Sequence, residues 1–303
     1  MNKFSIGFAL GGGGARGAAH IGVLQALHAS GIIPDYIAGT SAGAIIGAMY
    51  SATRDPDWVE SRFREFLESK EFAQLGTDRI IPGRDPNSAF GQAAKFIKNQ
   101  MVVIMALNSK SIIRREKVET AMRFLIPVET FEELLIPMTV VATDFHTGKP
   151  VEYSSGDLIE AIAISSSIPG FVTPTTDNGQ LLLDGGTSRP IPVYSVKNKV
   201  DYTIAVDISR GEPEPMQKVN ILELMTRSER ITSQHLCNAI LTNADYIIRP
   251  EVEGLHWSQF ERFDELYEAG IEAVENQVQG LLSELNERNS WQFRLKQWFG
   301  NKK

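Results

Sequence analysis

Asp35-Tyr36-Ile37-Ala38-Gly39-Thr40-Ser41-Ala42-Gly43-Ala44-Ile45-Ile46-Gly47-Ala48-Met49 is the stretch on which the reading of this 303-residue chain turns. Asp35 to Ala38 reads as a strand and Ala44 to Met49 as a helix, so the backbone passes from one to the other at Ser41 with no intervening loop. Such a corner presses neighbouring backbone together. Side chains two residues to either side of it would collide, and both places hold glycine, Gly39 and Gly43. The corner hydroxyl is pushed outward, which is the arrangement of a nucleophile elbow. Ser41 is therefore the candidate nucleophile of a serine hydrolase. By itself, Gly-x-Ser-x-Gly is also compatible with a plain tight turn between strand and helix.

A second motif lies one supersecondary unit earlier, Gly11-Gly12-Gly13-Gly14-Ala15-Arg16-Gly17. Phe4 to Leu10 before it reads as a buried strand. Ala18 to Ser30 after it reads as a helix with Ile21, Leu24 and Leu27 or His28 on one face. Between the two, residues without Cβ let consecutive N–H groups converge at a helix N-terminus, where negative charge is favoured. In a hydrolase that charge is a tetrahedral oxyanion, and one lost donor typically costs on the order of 3 kcal/mol of transition-state stabilisation. Gly12-x-Gly14-x-x-Gly17 after a strand is also the dinucleotide fingerprint. That fingerprint wants an acidic residue at the end of the second strand. Here the strand runs into Ala38-Gly39-Thr40-Ser41, with Asp35 at its start. The alternative of a nucleotide-binding or regulatory module, using the loop for phosphate, stands as the second reading.

Composition narrows the classes further. A formal charge of −7 argues against a nucleic-acid surface, which needs a basic face. One cysteine, Cys237, excludes an intrachain disulfide and a thiolate metal cluster, and no glycine frame marks it as a nucleophile. The apolar run Phe4 to Leu10 is short and is followed by glycines and Arg16, so it reads as the first strand and not as a secretion signal. No run has the length of a membrane span. The expected location is cytoplasmic, with peripheral contact at the inner membrane face as a further expectation.

Downstream, Asp57 to Lys70 reads as an amphipathic helix with Trp58, Phe63, Phe66 and Leu67 as its apolar residues. Residues 72–112 are less regular, and their run Met101 to Leu107 suits either a buried helix or an adaptable apolar cover for an acyl chain. Met138 to Thr143, Val151 to Tyr153, Leu181 to Leu183, Tyr202 to Val206 and Ala244 to Ile248 read as strands, with a helix from Leu158. This alternation predicts an α/β protein with a mostly parallel sheet covered on both faces. One domain over residues 1–280 is the simplest division, with an amphipathic helix or tail over 281–303. There Trp291, Leu295, Trp298 and Phe299 share one helical face, beside Arg294, Lys296, Lys302 and Lys303. Such a helix either closes the core or docks on an anionic bilayer.

A serine nucleophile needs a base. His20 and His28 fall on the first helix, His235 and His256 on stretches without a glycine turn, and only His146 follows a strand directly. Asp184-Gly185-Gly186 is better placed, because an aspartate at a strand end followed by two flexible residues can aim its carboxylate into a crevice. With a free pKa of about 4 it is a weak base, so the site would have to desolvate it. A loop-capping Asp-Gly turn is the competing explanation.

In this order, Gly12-Gly13-Gly14-Ala15-Arg16-Gly17, Gly39-Thr40-Ser41-Ala42-Gly43 and Asp184-Gly185-Gly186 resemble the patatin-like phospholipases, especially small bacterial members. Ala19-His20-Ile21-Gly22-Val23-Leu24, Val141-Ala142-Thr143-Asp144, Ser165-Ser166-Ser167-Ile168-Pro169-Gly170 and Pro190-Ile191-Pro192-Val193 extend the likeness over roughly residues 5–210. The resemblance implies a three-layer α/β/α fold and a Ser–Asp dyad without histidine. It makes Ser41 the nucleophile and Asp184 the base. It also implies an oxyanion hole from Gly12, Gly13, Gly14 and Arg16, with Gly13 and Gly14 as amide donors and Gly12 and Arg16 shaping the loop. The implied substrate is a phospholipid or other acyl-ester lipid, cleaved through an acyl-enzyme. Such a dyad needs no metal or organic cofactor.

Overall fold

The computed structural model describes residues 4–76, 113–209, 216, 219–252, 254–255 and 257–290. The expected apolar cover within 77–112 and the C-terminal group Trp291, Leu295, Trp298 and Phe299 lie outside the described residues.

Strand β1 (Ile6–Leu10) leads through a 3-10 turn (Gly14–Gly17) into α1 (Ala18–Ala29), and β2 (Tyr36–Thr40) leads into α2 (Ala42–Thr53). Then come α3 (Pro56–Glu68) and α4 (Lys70–Leu75). Asp55 caps α3 by accepting from the Trp58 N–H, with Pro56 in the first turn, where its missing N–H costs nothing. The chain continues with α5 (Arg115–Leu125), β3 (Met138–Asp144), β4 (Lys149–Tyr153) and α6 (Leu158–Ser165). It closes with β5 (Thr175–Asp177), β6 (Gln180–Asp184), α7 (Val193–Lys197), β7 (Tyr202–Val206), α8 (Ile221–Leu241), β8 (Tyr246–Ile248), α9 (Phe263–Glu275) and α10 (Val278–Asn289).

The strands form one sheet with helices on both faces, as predicted from the alternation of elements. Side-chain direction alternates along each central strand. Phe8, Leu10, Ile37, Ile204 and Val206 join the larger core with α1, α2, α3, α5 and α9. Ala9, Ala38 and Ala205 face the other way, onto Val193, Val196, Cys237, Ile240 and Leu241 of α7 and α8. The small residues on that face let the second helical layer lie close to the sheet. Helix α10 begins three residues before the expected boundary at 280/281, and its Leu281 and Leu285 are buried in the larger core. That part of the chain is packed on the body of the protein. Among the described residues no helix is long and apolar enough to cross a membrane.

The sheet runs parallel through β3, β2, β1, β7 and β8 and turns antiparallel at β4 and β6. Register decides what this does. Along β3, Val140 and Val141 pair with Gly39 and Thr40 of β2 on one edge and with Tyr153 and Glu152 of β4 on the other. Ala142 pairs with Val151 of β4 and with Asp184 of β6. A strand has two edges, so β2 and β6 share the edge opposite β4. They approach from opposite directions and end at adjacent rungs, Thr40 against Val141 and Asp184 against Ala142. The C-terminal ends of two strands therefore meet head-on, and Ser41 follows directly on one of them.

Candidate active site

Ser41 is the N-cap of α2 with φ 52° and ψ −121°. Holding a residue other than glycine there costs on the order of 1–3 kcal/mol and persists only when the surroundings fix it. Close packing does so. A Cβ on Gly43 would stand 2.1 Å from the Leu10 carbonyl oxygen, and one on Gly39 would stand 2.5 Å from the Ala44 Cα. The Ser41 carbonyl accepts from the Ala44 and Ile45 N–H groups at 2.9 and 3.1 Å, so the helix starts at the corner itself. The positive end of α2 thus lies at the Ser41 side chain.

Asp184 is buried and faces Ser41. Its carboxylate accepts from the Gly186 N–H at 2.7 Å. Burial raises its pKa from 3.8 to about 6, while the Ser41 hydroxyl and the Gly186 amide, by hydrogen bonding to the charged form, act in the opposite sense. The group is still a carboxylate at neutral pH and is a far better proton acceptor than a solvated aspartate.

In the glycine loop the amides divide by partner. The Gly11 N–H donates to the Val206 carbonyl at 3.1 Å, Gly12 to Pro190 at 2.9 Å and Ala15 to Trp257 at 2.7 Å. The N–H groups of Gly13 and Gly14 have no acceptor among the described residues. Of the residues expected at an oxyanion hole, Gly12 is therefore a framing residue, with its amide engaged. Arg16 is buried and donates through Nε to the Gly13 carbonyl at 3.2 Å, which holds that peptide with its oxygen turned back into the protein. At the end of β2, where a dinucleotide fold would place a ribose-binding acid, Thr40 donates its hydroxyl to the Arg189 carbonyl at 2.9 Å.

Two cavities meet at Ser41. The more polar of the two is bounded by Gly13, Asp184, Ser209, Arg230, Ser233 and Gln234, with Pro169, Pro190 and Cys237. The other is apolar, bounded by Ile45, Phe63, Phe66, Met122, Leu125 and Phe260. Trp257 and Ile168 border both. Trp257 escaped the sequence reading because it sits on an irregular stretch after β8 and earns its place only through tertiary contacts: its carbonyl holds Ala15, and its ring meets Phe171 edge-on at 5.1 Å.

No described histidine lines either cavity. His146 is exposed in the β3–β4 turn, where its N–H donates to Asp144, and His28 bonds the Tyr50 hydroxyl at 2.8 Å. His20 is fully buried, with Nε2 2.7 Å from the Gly11 carbonyl; burial lowers its pKa to about 4, so it is neutral and structural. Cys237 is a buried core residue whose thiol burial pushes up to about 12.

The model of the family described as patatin-like phospholipase matches residues 8–197. An uncharacterized NTE family protein of Mycobacterium tuberculosis is 34% identical over 233 residues, covering 75% of this chain and 56% of that protein. Lysophospholipase nte1 of Aspergillus fumigatus is 27% identical over 306 residues, covering 92% of this chain and 18% of that protein. The chain thus spans about half the length, or less, of these curated relatives. Among solved structures, human GIVD cytosolic phospholipase A2 aligns with a TM-score of 0.54 at 12% identity, covering 94% of this chain and 60% of that one; the likeness is one of fold.

Proposed function

The chain belongs to the patatin-like phospholipase family, and from that premise we propose that it hydrolyses acyl esters of lipids, of the phospholipase A or lysophospholipase kind, through a Ser41–Asp184 dyad. The observation that carries this reading is the head-on meeting of β2 and β6, which sets a strained serine against a desolvated aspartate beside two unclaimed amides.

In the proposed cycle the Asp184 carboxylate takes the Ser41 proton as Oγ attacks the ester carbonyl. The N–H groups of Gly13 and Gly14 and the start of α2 stabilise the oxyanion. Collapse returns the proton from Asp184 to the departing alcohol and leaves an acyl-enzyme, which water opens with Asp184 again as base. The acyl chain lies in the apolar cavity, and the alcohol with its head group leaves through the polar one, past Arg230.

A fluorophosphonate probe tests this reading at once. We expect it to label the wild-type chain and not Ser41→Ala, and we expect the wild type to release fatty acid from phospholipid or lysophospholipid. A wild-type chain that resists the probe, or saturable nucleotide binding that competes with ester substrate, would overturn it. The raised pKa of Asp184 adds a prediction about pH. The base must be ionised, so kcat/KM should fall as pH drops through about 6, reaching roughly a tenth of its plateau at one pH unit below. A profile flat from pH 8 to 5 on a soluble ester would rule out Asp184 as the base.

A further inference from the structure

Both members of the dyad are tied by their main-chain N–H groups to one short segment, Ser165-Ser166-Ser167, at the C-terminal end of α6. The Ser41 N–H donates to the Ser165 Oγ at 2.9 Å. The Ser165 hydroxyl in turn donates to the Val141 carbonyl at 2.6 Å. Two residues on, the Ser167 carbonyl accepts from the Asp184 N–H at 3.0 Å. Ser165 and Ser167 are both fully buried.

The position of the Val141 peptide makes this more than local satisfaction of buried groups. Val141 is the rung of β3 against which β2 ends, and Ala142 is the rung against which β6 ends. A Cβ on Gly185 would stand 2.2 Å from the Val141 carbonyl oxygen, so the residue after Asp184 crosses that same peptide in contact with it. Ser165 therefore joins the elbow to the Val141 peptide, which is both the rung where β2 ends and the floor beneath the Asp184-Gly185 turn. An alanine in place of Ser165 would deprive the buried Ser41 N–H of the Ser165 hydroxyl and remove a hydrogen bond to the Val141 carbonyl, and the Ser41 peptide would be free to rotate out of its strained conformation.

We propose that Ser165 is a positioning residue for hydrolysis, its hydroxyl fixing the elbow to β3 and so setting how the Ser41 Oγ meets the Asp184 carboxylate. The proposal rests on the reading of Ser41 as nucleophile. Serine fits the role because one small hydroxyl both accepts and donates in line. Ser167 differs, since it holds Asp184 through its carbonyl, while its side chain bonds the Ala163 carbonyl at 2.8 Å within α6.

The test compares wild type, Ser165→Ala, Ser165→Cys and Ser167→Ala by fluorophosphonate labelling rate, labelled fraction, kcat, KM and pH profile. For Ser165→Ala the labelling rate and kcat should fall together by roughly 10- to 100-fold, the loss expected when reacting groups are displaced by a fraction of an ångström to one ångström. KM should change little, and the acid limb should move to higher pH because the Ser41 hydroxyl no longer favours the ionised carboxylate. Ser165→Cys, which keeps a weaker donor and acceptor, should fall between, and it carries the test if the alanine variant does not fold. Ser167→Ala removes a neighbouring buried hydroxyl and should lower thermal stability with the acid limb unmoved. Wild-type labelling rates per folded molecule in both Ser165 variants would overturn the proposal. So would losses confined to the labelled fraction, or an equal shift of the limb in Ser167→Ala. A wild-type chain that resists the probe removes the nucleophile and the positioning role together, and is thereby told apart from a failure of Ser165 alone.

Discussion

Asp184→Asn should abolish ester hydrolysis, by at least about 10³-fold in kcat, and at the same time make the folded chain more stable above pH 6. The amide keeps an oxygen that can accept from the Gly186 N–H but cannot take the serine proton. The stability change follows from the pKa. Burial raises Asp184 from 3.8 to about 6, so the folded state binds its proton more tightly than the unfolded state does. Its contribution to stability is complete below about pH 4 and is lost as pH rises through about 6. Above that range the wild type holds a desolvated charge at a cost of up to about 3 kcal/mol. Thermal melts of wild type and Asp184→Asn should therefore be separated by several degrees at pH 8, with the variant higher, and should converge as pH is lowered to 4.5. An inactive variant that melts lower than wild type at every pH would mean that the carboxylate supports the fold and is not strained for the sake of the reaction.

The second large effect is expected at the elbow glycines. In Gly43→Ala the new methyl would meet the Leu10 carbonyl oxygen at 2.1 Å, a main-chain atom of a central strand with no room to yield. We expect a loss above about 3 kcal/mol in urea denaturation, or failure to fold, with no probe labelling. Gly47→Ala, one turn further along α2, is the control. Its methyl meets the Met138 Cε, the far end of a flexible side chain, at 2.9 Å, and the Ile37 Cγ2 at 3.1 Å, a contact relieved by a shift of a few tenths of an ångström. Removing a mid-helix glycine there offsets part of the cost by about 0.5–1 kcal/mol. Equal destabilisation by the two changes would show that the tight approach of α2 to β1 is not what requires glycine at 43.

How much of this was readable beforehand depended on whether the cause was local. The elbow was readable because its steric demand falls on residues two positions away in the chain, and glycine stands at both. The glycine loop, the buried strands and the body of α3, expected from Asp57, were readable for the same reason, although its Asp55 cap was not anticipated. Direction was not. Leu181-Leu182-Leu183 reads as a buried strand whichever way it runs, so the antiparallel course of β6 and its collision with β2 come only from register. Nor was the division of labour in the loop. That the Gly12 amide is engaged depends on Pro190, and nothing in Gly11 to Gly17 announces it. Ser165-Ser166-Ser167 stood out as a segment, but the difference between a serine acting through its hydroxyl and one acting through its carbonyl exists only once α6 is packed behind β3.

The head-on meeting of β2 and β6 also has a meaning in time. The elbow, the glycine loop and α2 all lie in the first part of the chain, and β1 and β2 can pair as soon as both exist. The proposed base is supplied by a strand that enters the same sheet much later and from the opposite direction, after the β3–β4 hairpin has formed the edge on which it docks. A polypeptide that has not yet seated β6 carries the proposed nucleophile, Ser41, without the carboxylate proposed to deprotonate it. On the proposed mechanism such a chain, newly made or partly unfolded, would be inert toward acyl esters, and completing the sheet would be the event that arms it.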